Sequence, residues 1–148
     1  MKKRHDYPLH EFRTSRRVEF ADTDMGGIVH FSRFFVFMET AEHQFLEALG
    51  VQVHMDVGEL AIGWPRVEAT CQYLSPARLG DVLEIHLRVA RKGEKSMTYA
   101  FTISCRENIV ARGRMSSVCC TMNHPDGLKA IPIPAVIADR IAEPPVVA

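Results

Sequence analysis

The sequence predicts an α+β fold in which an antiparallel five-stranded sheet wraps around one long central helix. Three observations carry this. Phe34, Met38, Ala41, Phe45 and Leu49 recur at i, i+4, i+7, i+11 and i+15, the spacing of one helix face. Several later segments instead alternate apolar and polar residues with a period of two, and short turns join them, which marks an antiparallel sheet with one buried face. A long apolar helix and a one-sided sheet satisfy each other by packing together.

The elements follow in order. Residues 1–14 read as a loosely ordered arm. A first strand is expected over Arg16–Ala21, with Val18 and Phe20 on one face and Arg17 and Glu19 on the other. The run Asp22-Thr23-Asp24-Met25-Gly26-Gly27 breaks it as a turn. The helix runs from Ser32 to Leu49, with Ser32 as N-cap and Gly50 as stop. Phe35, Phe37 and Leu46 widen its apolar stripe, and Glu39, Thr40, His43, Gln44 and Glu47 make a narrower polar side. After a loop come four strands. Val67, Ala69, Cys71 and Tyr73 alternate with polar neighbours, as do Leu83, Ile85, Leu87 and Val89, then Met97, Tyr99, Phe101, Ile103 and Cys105. The last, about Val110 to Met122, is less cleanly patterned. Lys92-Gly93-Glu94-Lys95 and Glu107-Asn108 suit hairpins, His124-Pro125-Asp126-Gly127 a turn, and Pro134 the start of a short helix reaching Ile141.

A chain of 148 residues is expected to form one domain, with no repeat or linker. Its 47% hydrophobic and 24% charged composition is that of an ordinary globular protein. Eighteen basic and 18 acidic residues cancel, which argues against a generalised nucleic-acid binder while leaving room for a local basic patch. No apolar run approaches the ~20 residues of a membrane span, and Met1 to Arg17 lack the apolar stretch of a signal peptide. A cytoplasmic location is expected, with neither membrane nor nucleic acid as partner. Cys71, Cys105, Cys119 and Cys120 form no C-x-x-C pair, so free thiols on strands are expected rather than a zinc site.

The chemistry concentrates at the first turn. A helix N-terminus offers unpaired N–H groups and partial positive charge, where a developing oxyanion is stabilised. Gly26 and Gly27 allow positive φ and close approach of backbone to a ligand. Asp24, seven residues before Phe31, can fold back over the helix start, where a carboxylate can attack a carbonyl or deprotonate water. Asp22 reads more simply as a turn cap. Rival readings fail: an EF-hand loop starting at Asp22 would place Arg33 where calcium needs Glu. An aspartyl-phosphate site needs a parallel α/β domain, and no Lys-Ser or Lys-Thr follows Gly26-Gly27 as in a phosphate-binding loop.

The stretch Val18-Glu19-Phe20-Ala21-Asp22-Thr23-Asp24-Met25-Gly26-Gly27-Ile28-Val29-His30-Phe31 resembles the opening signature of the hotdog-fold acyl-CoA thioesterases, in the branch of 4-hydroxybenzoyl-CoA thioesterase and its bacterial relatives. Tyr73-Leu74-Ser75-Pro76-Ala77-Arg78-Leu79-Gly80-Asp81 resembles that family's weaker second signature. With the element order, the resemblance covers about residues 16–122. It implies a hotdog fold, an acyl-CoA substrate, no cofactor or metal, and a homodimer or homotetramer with active sites at the protomer interface. It further implies that Asp24 is nucleophile or general base and that the Phe31 N–H binds the thioester oxygen. Some relatives carry histidine at the position of Phe31 and tyrosine near that of Phe20; here His30 stands one place earlier and is a candidate acid or positioning group. Arg33 stands where relatives often carry Asn at the helix start.

Met25, Gly26 and Gly27 are expected beside the acyl group, with Phe31, Phe34, Phe35 and Trp64 as candidate pocket walls. Arg91, Lys92 and Lys95 are expected to meet the CoA phosphates; Lys95-Ser96 matches a Lys-Ser pair of the aryl-CoA thioesterase. Glu39 or Glu42 is a reserve catalytic carboxylate, since a related branch uses a helix glutamate. His43 stands one helical turn beyond Glu39 and can pair with it. Two other functions fit the same fold: a hydratase or dehydratase on acyl thioesters, and a non-catalytic acyl-CoA-binding module.

Overall fold

The long helix forms where its periodicity places it. In the computed structural model, which describes residues 8–146, α1 spans Arg33–Ala48. Phe34, Phe37, Met38, Ala41, Phe45 and Leu46 are all buried on it. It ends in a Schellman motif: Gly50 takes φ +76°, the Gly50 N–H donates to the Glu47 carbonyl, and the Val51 N–H donates to the Leu46 carbonyl. No helix among the described residues is long and apolar enough to cross a membrane.

The strands in chain order are β1 Glu11–Arg17, β2 Met55–Val57, β3 Leu60–Gly63, β4 Arg66–Tyr73, β5 Val82–Lys92, β6 Ser96–Cys105, β7 Asn108–Val118, β8 Cys120–His124 and β9 Gly127–Ala130; a single-turn helix α2 follows at Ala135–Ala138. The main sheet is antiparallel in the order β1-β5-β6-β7-β4, and its hairpins fall at the two turns the sequence marks. Its inner face carries Leu83, Ile85, Leu87 and Val89 of β5 and Met97, Tyr99, Phe101 and Ile103 of β6, which form one core with the buried side of α1. The four cysteines are free thiols, Cys119 and Cys120 buried and the other two half-buried; burial pushes the Cys119 thiol up to about 11.

Several expectations are corrected. Residues 1–7 of the predicted arm lie outside the described residues, but residues 11–14 are not an arm: they belong to β1, paired with β5 from Glu11↔Arg88 to Arg17↔Val82. The predicted strand Arg16–Ala21 is therefore the end of β1 followed by a 3₁₀ turn at Phe20–Asp22, closed where the Asp22 carboxylate takes the Glu19 N–H. The segment read as a loop after α1 holds the β2–β3 hairpin, and the last predicted strand splits at Cys119. There the Cys119 N–H donates to Lys95 and its carbonyl accepts from Ile131, so the chain passes from the main sheet into a second one, ordered β2-β3-β8-β9. The fold thus has five strands around the helix and a second four-stranded sheet beside them. The apolar side of β4 is only partly buried: Cys71 packs against the core, while Val67, at a β-bulge, is 63% exposed and Tyr73 47%. The terminal helix stops at Ala138, and Ile141 instead bridges Leu9.

Candidate active site

The turn before α1 is built by its own backbone. The Asp24 N–H donates to the Ile28 carbonyl at 2.8 Å, the Gly27 N–H donates back to the Asp24 carbonyl at 3.0 Å, and Thr23 and Val29 form an antiparallel bridge. Asp24 Oδ1 accepts the Gly26 N–H at 2.8 Å. Gly27 takes φ +80°, which favours glycine there, and a side chain at 26 would approach the Asp24 oxygen at 3.2 Å and press on its contact with the turn. The turn is anchored to the second signature: the Val29 N–H donates to the Ala77 carbonyl, and Ile28 bridges Arg78.

Asp22 is more than the turn cap expected of it. It is fully buried, and its Oδ2 accepts the Glu19 N–H while its Oδ1 receives Arg33 through Nε at 2.8 Å and through its terminal nitrogen at 2.7 Å, with Arg16 at 3.5 Å. Its carbonyl accepts the His30 N–H at 2.8 Å. Burial pushes this carboxyl up, but the Glu19 N–H and the two arginines outweigh it and hold it below the usual carboxylate range. Arg33, a cation where the helix dipole disfavours one, is thereby neutralised.

Asp24, exposed, shares one cleft with Phe31. This cleft of about 430 Å³ is lined by Asp24, Ile28 and Val29, by Phe31 and Phe34 of the helix start, and by Tyr73–Ala77 opposite. Among the described residues the Phe31 N–H has no hydrogen-bond partner, nor has Asp24 Oδ2. Sequence reasoning missed Tyr73. Its hydroxyl donates to the Phe31 carbonyl at 3.0 Å and its ring meets Phe34 edge-on at 5.5 Å, while the peptide unit carrying the free N–H is held through its own carbonyl, that of His30, which accepts the Arg33 N–H at 2.9 Å. The one signal in the sequence was its place at the head of the second motif.

The other expected residues are dispersed. Gly26 and Gly27 shape the turn without lining the cleft, and Met25 projects fully into solvent. The His30 ring turns away: Nδ1 meets Ser32 Oγ at 2.7 Å and accepts the Ser32 N–H at 3.2 Å, and the ring stacks on Phe31 at 4.4 Å. Ser32 consequently makes no side-chain cap of its own. Arg91, Lys92, Lys95 and Ser96 sit at the β5–β6 turn, at the other end of the sheet from Tyr73. Lys92 is engaged there, its ammonium donating to the Ala138 and Ile141 carbonyls at 2.8 Å each.

A second cavity, about 380 Å³, lies further along α1 and contains Trp64 together with Glu39, Glu42, His43 and Arg66. Trp64 therefore walls this cavity and not the Asp24 cleft, and Phe35 lines neither. Arg66 pairs with Glu42 and reaches Ser117 Oγ at 3.0 Å and Glu39 at 3.2 Å. Burial pushes the Glu42 carboxyl up despite Arg66. The predicted Glu39–His43 pair is not formed; Glu39 goes to Arg66. No three metal-ligating side chains cluster among the described residues.

Comparison with known proteins gives the same direction. Residues 18–141 match the profile of the thioesterase-like superfamily. The chain is similar to a 1,4-dihydroxy-2-naphthoyl-CoA hydrolase of Synechocystis, at 32% identity over 127 residues, covering 83% of this chain and 88% of the relative. It is similar to the acyl-CoA thioester hydrolase YbgC of Escherichia coli at 30% over 114 residues, or 74% and 81% of the two chains. Among solved structures, a gentisyl-coenzyme A thioesterase superposes with a TM-score of 0.75 at 29% identity, covering 85% of this chain and 98% of that one.

Proposed function

Because the chain belongs to the thioesterase-like superfamily, we propose that it hydrolyses acyl-CoA thioesters to free acid and CoA at the cleft between Asp24 and the start of α1. The observation that carries this reading is that one cleft holds an exposed carboxylate with a free oxygen and a backbone N–H with no other partner. A thioester carbonyl placed between them has its oxygen on the Phe31 N–H, where the helix dipole adds to the field. Asp24 then acts as nucleophile or as general base. As nucleophile it forms a C–O bond while the C–S bond breaks, and water cleaves the resulting anhydride. As base it takes a proton from water attacking the same carbon. In both routes the thiolate leaves and acquires a proton to give CoA. Asp22, Arg33 and Tyr73 hold the two reacting partners in place, and His30 fixes Ser32 and Phe31.

Phe31, Phe34 and Tyr73 make the cleft aromatic, which favours an aryl acyl group. The site is completed by a second copy of the chain. Phe20, Met25, Phe31, Tyr73 and Leu74 are exposed on and beside the cleft, and β4 offers an unpaired edge next to it. The β5–β6 turn lies about 23 Å along β6 from the level of Tyr73, a separation that suits Arg91, Lys95 and Ser96 to the CoA phosphates at a partner's cleft. The test is thiol release from a panel of aryl and aliphatic acyl-CoAs, with light scattering on the same sample. Release of CoA that Asp24→Asn abolishes, from a dimer or tetramer, is expected. Addition of water without thiol release would point to a hydratase, binding without turnover to a non-catalytic module, and a monomer at working concentration would overturn the shared site.

A further inference from the structure

The middle of the main sheet's outer face, turned away from α1, is basic although the chain is neutral overall. The register of the five strands sets out two adjacent rows on it. One runs Arg13, His86, Thr102, Arg112, Gln72 across β1, β5, β6, β7 and β4. The next runs Glu11, Arg88, Ala100, Arg114, Thr70. Glu11 is taken by His86 at 2.8 Å. Among the described residues Arg13, Arg88, Arg112 and Arg114 have no carboxylate partner; Arg88 donates only to Thr102 Oγ1, at 3.3 Å.

These arginines enclose two adjoining depressions. The larger, about 680 Å³, is lined by Arg13, Arg88 and Arg112 with Thr102 and Ser104, and by Glu84 as its one acidic group. The smaller, about 350 Å³, is lined by Arg88, Arg112 and Arg114 around Ala100. Arg88 and Arg112 belong to both. Neighbouring strands are about 4.8 Å apart. The small side chain of Ala100 therefore leaves a floor over which guanidinium groups from β5 and β7 converge. Planar, forked donors set around a shallow floor with hydroxyls beside them match the oxygens of phosphate, and several arginines together suit an anion of several charges. We propose that this face binds an oligophosphate anion, seated over Ala100 between Arg88, Arg112 and Arg114 and extending toward Arg13. None of these residues lines the Asp24 cleft, so this is a second site. A second copy stacked here about a two-fold axis would set like charges against each other, which disfavours that occupant.

Calorimetric titration of the full chain with sodium tripolyphosphate, at low and moderate salt, tests this. Saturable binding of one anion per protomer is expected, weakened more than tenfold in Arg88→Ala/Arg112→Ala and weakened also in Arg88→Lys, which keeps the charge and loses the fork. Arg114→Gln, a single exposed change, gives the same direction if the double variant folds poorly. Binding of ATP as tight as that of tripolyphosphate assigns the recognition to the phosphates alone. Absence of saturable binding, or binding indifferent to these substitutions, overturns the proposal. So does preferential binding of single-stranded oligonucleotide, or a raised KM for acyl-CoA in the arginine variants, which would give the face to the substrate's own phosphates. The binding arm needs no turnover, so its failure is separable from failure of the hydrolase reading.

Discussion

Asp24, just ahead of α1, and Glu42, in its third turn, are carboxylates with opposite surroundings. Asp24 is exposed, has one oxygen fixed by the Gly26 N–H, and lines the same cleft as Phe31, whose N–H has no partner among the described residues. Glu42 is buried, paired with Arg66 and pushed toward the neutral form by burial. The same functional group is thus left open to solvent at one place and held in the framework at the other. What separates them is burial and pairing: Glu42 is held by Arg66, whereas Asp24 keeps one oxygen without a partner among the described residues.

Neutralising each carboxylate in turn should affect turnover very unequally. Asp24→Asn should lower kcat by about 10³-fold, within the range of a lost general base, and leave the melting temperature unchanged because the side chain packs against nothing but its own turn. Glu42→Gln, measured beside it, should retain turnover. A collapse of kcat there with a normal melting curve would transfer the chemistry to α1.

Stability should answer in the other order. Arg66→Ala leaves Glu42 buried without its cation and should cost about 3 kcal/mol, read by denaturant titration. The Glu42 carboxyl lies above its ordinary range in the fold, so its contribution favours the native state at low pH and is lost as pH rises through the folded value. Glu42→Gln should remove that loss on the neutral side. Asp22→Asn should cost about 2 kcal/mol by breaking its charged hydrogen bonds. Asp22 is shifted the opposite way, so its stabilisation is present above the ordinary carboxylate range and fades as pH falls through the lowered value. The variant should therefore show a flatter acid limb in thermal melts. The smallest effect is expected of Tyr73→Phe: loss of one hydrogen bond to the Phe31 carbonyl, about 1 kcal/mol, or roughly a fivefold drop in kcat/KM.

The parts of the molecule legible in the sequence were those where one residue's neighbours in the chain decide its environment. The helix stripe and the alternation of β5 and β6 bury the residues the pattern singled out, from Phe34 to Leu49 and from Leu83 to Ile103. β1 escaped because Glu11–Arg17 is only half-buried on one side and exposed on the other, which leaves no apolar alternation to read. β2, β3, β8 and β9 are three to five residues long and owe their form to pairing with distant segments. The Asp24 turn was readable because glycines and aspartates carry local conformational meaning. The place of Tyr73 was not, since it meets Phe31 only through a contact between residues 42 positions apart. Lys92 looked like a ligand for phosphate and instead binds the end of α2, where carbonyls converge that no linear pattern announces.

Phe31 lines the cleft, its N–H has no partner among the described residues, its carbonyl accepts from Tyr73, and its ring is 63% exposed. A hydrogen-bond donor made of peptide backbone cannot be deleted by exchanging side chains; only proline at that position would erase it. Position 31 is therefore at liberty to vary. Selection or a protein engineer can reshape the wall that greets the acyl group, from bulky to small or from greasy to polar, while the donor itself persists unchanged.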